Sequence, residues 1–308
     1  MLDVVGVGTN SVDEVLQLPG EAVSVLAGGK VRVSDRRFLC GGQTATVMAA
    51  CAALGLRSGY IGAFGSDDHG RLIRNALKSG GVDVRGSIEC DAPNRGAVIL
   101  VDPQGNRTVL WHRSDRLKVP FQELRVSALH GRVVHVDDDD PELALHAATI
   151  ARSAGIPVTS DLEHVSDQVE QLIASVTFPI FEQSLPALIT GEHDPERALR
   201  KLRRLNDGLL VMTRAEQGSV ALDGDTFHMA PAFKVKVVDG TGAGDVFRAG
   251  FIYGVLQTWP VPDMLRFANA AAAVSCTRLG AIPSVPTLPQ VQELLDSTQS
   301  RRDAEIGR

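Results

Sequence analysis

In its middle third, the chain alternates between short apolar runs and segments with a helical face. The apolar run Arg132–Val136 precedes a predicted helix at Pro141–Ser153, and the run Pro157–Ser160 precedes another. A further run, Leu209–Met212, follows a helix predicted to begin at Asp194. Strands separated by helices form parallel sheets, because each helix carries the chain back to the edge where the next strand begins. The sequence therefore predicts an α/β fold with a mostly parallel sheet covered by helices on both faces.

Periodicity and turn residues place the other elements. Strands are predicted at 2–7, 58–64, 97–101, 108–111, 219–222 and 227–229, and helices at 43–54, 68–79, 245–257 and 262–277. The runs on either side of 102–106 indicate a hairpin, and 11–40 indicates short antiparallel strands. We expect these two regions, about 11–40 and 92–115, to form a small β accessory element. The polar end, 297–308, is expected to be frayed.

Composition excludes several classes of protein. The formal net charge is −6, whereas binding to nucleic-acid phosphates requires a basic surface. The most apolar stretches are interrupted well before 18 residues, so no membrane-spanning helix is expected. The start of the chain lacks the basic region of a signal peptide and is predicted to be a strand. The four cysteines are scattered without a close pair, which fits neither a zinc site nor a disulfide framework. We therefore expect a cytoplasmic protein.

The most informative segment is the Gly-rich run Asp239-Gly-Thr-Gly-Ala-Gly-Asp245, which joins a predicted strand to a predicted helix. Consecutive N–H groups at a helix N-terminus bind anions, and residues without a Cβ let an oxygen-rich group approach the main chain. An ionised Asp245 at the start of the helix could accept the proton of an attacking hydroxyl. Taken alone, the same carboxylate could simply cap the helix.

This run resembles the second signature of the ribokinase (PfkB) family of carbohydrate kinases, with Gly240 where Thr is commonest. The resemblance implies a three-layer αβα core with a β-sheet lid, formed by residues 1–308 as one kinase domain. It also implies that Asp245 is the catalytic base and that the amides of Gly242, Ala243 and Gly244 form an anion hole. Lids of this kind exclude water, which would otherwise accept the phosphoryl group.

The family's first signature is similar to the Gly-Gly pair of this chain and the Ala-rich helix after it. With the segment that follows the first strand, it implies substrate contacts from residues at three places in the sequence. The implied substrate-binding residues are Ser11, Asp13, Gly41, Gly42, Gln43 and Thr46. Alone, the Gly-Gly pair could be no more than a tight strand–helix turn. The first strand is followed by Gly6-Val-Gly8, but the third glycine of a dinucleotide-binding fingerprint is missing, which argues against an NAD-dependent dehydrogenase.

Nucleotide and cation contacts are likewise implied by the resemblance. The nucleotide-binding candidates are Thr213, Ala215, Gly218, Thr241 and Asn269. The candidates around a monovalent cation such as K⁺ are Asp239, Thr241, Ser275, Arg278, Gly280 and Ser284. Magnesium is expected because ATP phosphates need their charge offset. The family's Asn-x-x-Glu motif corresponds here to 181–185, where neither key residue matches, and Glu182 is the candidate for Mg²⁺.

The acidic run 137–140 has two interpretations. Asp140-Pro141 has the form of an N-cap followed by Pro at the first helical position, which favours capping and a solvated surface. Alternatively, one member, Asp138, faces the sugar cleft, because related proteins have an acid near this position. His112 and His135 have no partner that the sequence reveals, and such histidines are usually structural.

These observations predict an ATP-dependent kinase that phosphorylates a hydroxyl of a small sugar or sugar acid. A nucleoside kinase is the first alternative, although aromatic residues form only 5% of the chain. A catalytically silent sugar-binding regulator is the second, because the Asn-x-x-Glu motif is lost. Gln43 stands where phosphosugar kinases usually have a basic residue, but Arg36 and Arg37 leave a phosphosugar open. The expected partners are the substrate and ATP, with no nucleic acid and no membrane, and a homodimer through the lid is a further expectation.

Overall fold

The computed structural model describes residues 1–20, 30–104 and 106–306. Its central sheet follows the predicted α/β pattern. The strands are β1 (Leu2–Val7), β4 (Ser58–Ile61), β9 (Gly131–Asp137), β10 (Val158–Asp161), β11 (Ile180–Phe181), β12 (Leu210–Thr213), β13 (Ser219–Asp223) and β14 (Thr226–Ala230). The first four form a parallel sheet in the order β4-β1-β9-β10. Isolated parallel bridges connect β10 and the residue after it to β11 and the segment before it, so the sheet continues as β11-β12-β13-β14. β11 and β12 are parallel, and β13 runs antiparallel to both of its neighbours, β12 and β14.

Helices cover both faces of this sheet. They are α1 (Gln43–Ala53), α2 (Asp68–Ser79), α3 (Pro141–Ser153), α4 (Val169–Ser175), α5 (Leu185–Thr190), α6 (Pro195–Leu202), α7 (Ala243–Leu256), α8 (Val261–Ser275) and α9 (Leu288–Ile306). One face packs against α3 to α6, and the other against α1, α2 and α7 to α9. Adjacent strand residues point to opposite faces of the sheet. Val5 packs on the face covered by α3 to α6, and Val4 packs on the face covered by α1, α2 and α7 to α9. Burial on both faces explains why these strands are almost continuously apolar.

A separate four-stranded sheet forms the predicted accessory element, which we call the lid sheet. Its strands are β2 (Ser11–Gln17), β3 (Asp35–Gly41), β7 (Gly96–Val101) and β8 (Arg107–His112), in the order β3-β2-β7-β8. β2 pairs with β3 and β7 with β8 in antiparallel register, whereas β2 and β7 are parallel. The predicted hairpin and the antiparallel strands are therefore confirmed. The part of the predicted lid at 21–29 and the turn residue Gly105 lie outside the described residues.

Two sequence predictions were wrong in detail, and some short elements were not predicted. The single strand predicted at 58–64 is two strands, β4 and β5 (Ala63–Gly65), and β5 pairs with β6 (Ile88–Cys90). The chain changes sheet at Gly62, where a Cβ would lie 2.1 Å from the Tyr60 hydroxyl oxygen, so only glycine fits. Neither β11 nor α5 was predicted. The end of the chain forms α9, and its backbone stays helical to Ile306, whereas fraying was expected from Ser297.

Candidate active site

The Gly-rich run forms a turn that leads directly into α7. Gly242 is the N-cap residue and has a left-handed φ of 78°. A Cβ at this position would lie 2.8 Å from the Ala281 Cβ, so both conformation and space require glycine. The first N–H groups of a helix have no acceptor within the helix, and the helix dipole favours negative charge there. The turn therefore presents a positive end to the cavity that residues 240–245 line.

Asp245 lies in the first turn of α7, and Gly242 rather than Asp245 is the N-cap residue. Its carboxyl group lines a cavity of about 510 Å³ together with the Gly-rich turn. Burial raises the pKa of Asp245 to about 8, while the nearby Arg248 guanidinium acts in the opposite direction. A carboxyl group with a raised pKa in a cleft has the properties of a proton acceptor.

The Gly-Gly pair forms part of the wall of the same cavity. Gly42 is the N-cap of α1 with φ 94°, and a Cβ there would lie 2.4 Å from the Asn10 Cα. Gln43 begins the helix, and its buried Nε2 has no hydrogen-bond partner within the described residues. Asp13, on β2, completes this wall. Burial raises the pKa of Asp13, against the opposing effects of the Ala97 N–H and of Arg95.

The other three expected substrate residues do not line this cavity in the described structure. Ser11 is buried beside Gly41. Thr46 is fully buried on α1, and its methyl group packs near Gly242. Asp138 accepts hydrogen bonds of 2.7 Å from the Glu163 and His164 N–H groups and pairs with the His164 ring. Asp138 therefore fixes the loop after β10 and does not line the 510 Å³ cavity, and a role for it at the sugar stays a prediction.

The rest of the acidic run is also structural. Asp140 accepts a hydrogen bond from the Leu143 N–H, and Pro141 follows it, as the capping interpretation predicted. Asp137 accepts hydrogen bonds from Thr9 and Thr44 and thereby joins the end of β1 to the start of α1. Within the described ranges, no group of three or more acidic, histidine or cysteine side chains is arranged to hold a metal ion.

The residues expected to contact the nucleotide also line the 510 Å³ cavity. They are Thr213, Ala215, Gly218, Thr241 and Asn269, and Glu182 lines it as well. Asn269 donates to the Ala230 carbonyl at 2.9 Å, so its amide is held by β14. The Glu182 carboxylate accepts hydrogen bonds from the Ser184 N–H and hydroxyl groups. Its side chain is therefore partly committed to its own loop.

Asp239 links the Gly-rich turn to the loop after α8. Its carboxylate accepts hydrogen bonds from Thr241, from the Gly280 N–H at 2.9 Å and from Arg107 of the lid sheet at 3.1 Å. Burial raises the pKa of Asp239, but these hydrogen bonds outweigh it and leave the pKa below its ordinary value. A second cavity, of about 410 Å³, lies between the lid sheet and this turn and shares Asp13, Gly41, Thr241 and Ala281 with the first.

The other residues expected near a monovalent cation surround this junction. The Ser275 hydroxyl donates to the Ala272 carbonyl and the Ser284 hydroxyl to the Ala281 carbonyl, which leaves their oxygen lone pairs as potential ligands. The Arg278 side chain instead points outward and donates to Gln290 at 3.0 Å. Only its main chain could take part in a cation site.

Sequence reasoning missed two residues of the site, Asp161 and Arg248. Both are fully buried, and they form an ion pair next to Asp245. Arg248 is the only charged residue between Val246 and Leu256. A single charge within an otherwise apolar helix was the signal that could have revealed it.

Comparison with known proteins agrees with this geometry. The sequence profile of the pfkB family carbohydrate kinases matches residues 10–288. The chain belongs to the PfkB family of carbohydrate kinases. It is 31% identical over 274 residues to the ATP-dependent ribose-1-phosphate kinase of Halopiger xanaduensis, covering 87% of this chain and 90% of that protein. It is 28% identical to fructokinase-1 of Oryza sativa subsp. japonica, covering 83% and 88% of the two chains.

The fold prediction is confirmed as well. The structure of Arabidopsis thaliana ribokinase complexed with ribose and ATP superimposes with a TM-score of 0.81 at 24% sequence identity, covering 96% of this chain and 98% of the other. Family membership confirms the prediction of a carbohydrate kinase. Among the described residues, none of the helices combines the length and the apolar character that spanning a bilayer requires.

Proposed function

We propose that this PfkB-family member transfers the γ-phosphoryl group of ATP to a hydroxyl of a small sugar or sugar acid. The observation that supports this most strongly is the shared cavity. Asp245 and the 242–244 turn line one cavity together with Asp13, Gln43 and the nucleotide candidates. A phosphate chain and an alcohol bound in this cavity would meet at Asp245.

The proposed chemistry uses few groups. Asp245 accepts the proton as the sugar O–H bond breaks, the sugar oxygen bonds to the γ-phosphorus, and the bond from this phosphorus to the bridging oxygen of ADP breaks. The amides of the 242–244 turn stabilise the charge that develops on the transferred group. The lid sheet lies over the second cavity and would exclude water from the reaction.

Magnesium and a monovalent cation are part of this proposal. Mg²⁺ would bind mainly to the ATP phosphates, where it offsets their charge, with Glu182 and Glu163 facing the same cavity. EDTA should therefore abolish turnover. K⁺ would bind where Asp239 and the oxygens of Ser275 and Ser284 lie close to the Gly-rich turn. An unchanged rate after replacing K⁺ by choline would contradict this role.

Turnover of ATP against a panel of acceptors tests the proposed function. The panel contains ketoses, aldoses, sugar acids, nucleosides and sugar phosphates. The last are included because Arg37 and Arg107 line the second cavity and one relative is named a ribose-1-phosphate kinase. We expect one acceptor class to yield ADP and a phosphorylated product in equal amounts, with kcat/KM of at least about 10⁴ M⁻¹s⁻¹. Absence of phosphorylated product from every member, in protein that binds ATP, would favour a silent sugar-binding regulator.

We also propose a homodimer formed through the lid sheet. Three consecutive residues of the edge strand β8, Val109, Leu110 and Trp111, are each more than half exposed. An apolar edge strand favours pairing with another chain. Light scattering at micromolar concentration should give the mass of two chains, and a monomer mass would contradict the dimer. The four free thiols fit a cytosolic setting, and recovery of the native protein outside the cytosolic fraction would contradict that location.

A further inference from the structure

Arg248 is the largest side chain that the described fold buries completely, with 1% of its surface exposed. It follows Asp245 by three residues on α7, so the two side chains lie on the same face of the helix. An unpaired charge in the protein interior is very unfavourable, and a buried guanidinium therefore requires partners. The positions of those partners show what this arginine does.

The guanidinium lies directly beneath the candidate anion hole. Its Nη2 forms an ion pair with the fully buried Asp161 at the end of β10, and Glu163 Oε1 lies 3.8 Å away. A Cβ at residue 244 would lie 2.7 Å from Arg248 Nη1, so Gly244 leaves room for the guanidinium. Arg248 also lines the cavity that contains Asp245. A buried ion pair that served only stability could be replaced by apolar side chains, whereas this one forms part of the wall of the site.

Several acids and one neutral histidine surround this cation. The ionisable groups near Asp245 and Arg248 lie at the ends of two strands. Asp161 ends β10 and Glu163 follows it, while His135 and Asp137 belong to β9 and Asp138 follows that strand. Burial and the guanidinium lower the pKa of His135 to about 3, so this ring stays neutral. Burial raises the pKa of both Asp161 and Asp245, and Arg248 opposes that rise in both. Without Arg248, these buried carboxyl groups would retain their protons to a higher pH.

We propose that Arg248 is a positioning residue for phosphoryl transfer: paired with Asp161 beneath the candidate anion hole, its guanidinium favours the ionised form of the Asp245 carboxyl group. This inference rests on the proposed function, because it concerns the same proton acceptor. Arg248 itself exchanges no proton, since a guanidinium does not deprotonate in proteins. Its effect is on the fraction of enzyme in which Asp245 can accept one.

The pH dependence of kcat tests this role. Protonated Asp245 cannot accept a proton, so the rate rises with pH as this group ionises. Arg248→Met removes the neighbouring positive charge, and we expect the acid limb to move upward by about one pH unit or more, with kcat at neutral pH reduced at least about tenfold. Arg248→Lys keeps a positive charge, so its acid limb should lie between those of the parent and Arg248→Met. Asp161→Asn removes the negative charge but keeps an oxygen that can accept a hydrogen bond from the guanidinium, and it should move the limb downward.

Arg266 provides the matched control. It lies on the adjacent helix α8 and donates to the Leu295 carbonyl at 3.4 Å, away from the cavity. Arg266→Met should leave the acid limb unchanged. If Arg248→Met lowered kcat equally at every pH, the role would be structural and the proposal wrong. If that variant failed to fold, an unmoved acid limb in both Arg248→Lys and Asp161→Asn would overturn it instead.

A titration without substrate separates this inference from the proposed function. Carboxyl ¹³C NMR of protein labelled at Asp, with Asp245→Asn used for assignment, follows Asp245 directly. We expect its titration to move to higher pH in Arg248→Met. If the titration of Asp245 shifts but the protein phosphorylates no acceptor, the effect of Arg248 on Asp245 would be supported and the proposed function rejected. An unmoved titration in an active kinase would reject the inference alone.

Discussion

At the scale of single residues, Ala215 lies in a conformation that suits glycine. Its φ is 47°, and it lines the 510 Å³ cavity. The neighbouring Gly218 has φ 89° and fits because a Cβ there would lie 2.1 Å from the Ala230 carbonyl oxygen. Ala215 therefore brings both backbone strain and a methyl group to the wall of the nucleotide cavity.

Ala215→Gly should relieve the strain and widen the space beside the phosphates. We expect the free energy of unfolding to rise by up to about 1 kcal/mol. A left-handed alanine costs about 1–2 kcal/mol, but glycine loses more conformational entropy on folding, which offsets part of the gain. The KM for ATP should fall several-fold. Thr258, with φ 56° and outside the cavity lining, is the control. Thr258→Gly should not lower the KM for ATP, and equal KM changes in the two variants would contradict a local effect.

At the scale of elements, α1 begins and ends at glycines with different surroundings. Gly42 and Gly55 have φ values of 94° and 90°. A Cβ at Gly42 would collide with the Asn10 backbone, whereas a Cβ at Gly55 would meet nothing within 4 Å. Both positions require a left-handed conformation, but only the first brings two chain segments together at the substrate wall.

Gly42→Ala should therefore destabilise the fold more than Gly55→Ala. The backbone conformation costs about 1–2 kcal/mol in both, and overpacking adds about 1–3 kcal/mol at Gly42 alone. Urea unfolding measures both differences. Equal losses of unfolding free energy in the two variants would show that the N-terminal end of α1 can move to accept the methyl group. The packing argument for the Gly-Gly pair would then fail.

The elements also show how far sequence reasoning reaches. Long periodic segments such as α3 and strands buried on both faces such as β1 were predicted nearly to the residue, because their signal is repeated many times. β11 has two residues and α5 six, too few for any period to appear. The break at Gly62 depends on the Tyr60 hydroxyl, a contact made only after folding.

At the scale of the whole molecule, the sheet brings distant residues to one edge. The carboxyl ends of β9 and β10 place Asp137 and Asp161 near Asp245, although more than 80 residues separate either from it in sequence. The sequence revealed Asp245, Gly42 and Asp13 through local motifs. It did not reveal the Asp161–Arg248 pair, because Arg248 has only its isolated charge as a local signal, Asp161 has none, and the tertiary fold alone makes them neighbours.

The most direct measurement of the central claim is the rate of phosphoryl transfer by Asp245→Asn. The amide keeps the size of the side chain but cannot accept the proton, so we expect kcat to fall by about 10²–10⁴-fold. The Kd for ATP should change little, and the variant should fold at least as stably as the parent, since it removes a buried charge. A kcat close to that of the parent, with ATP binding intact, would contradict the claim.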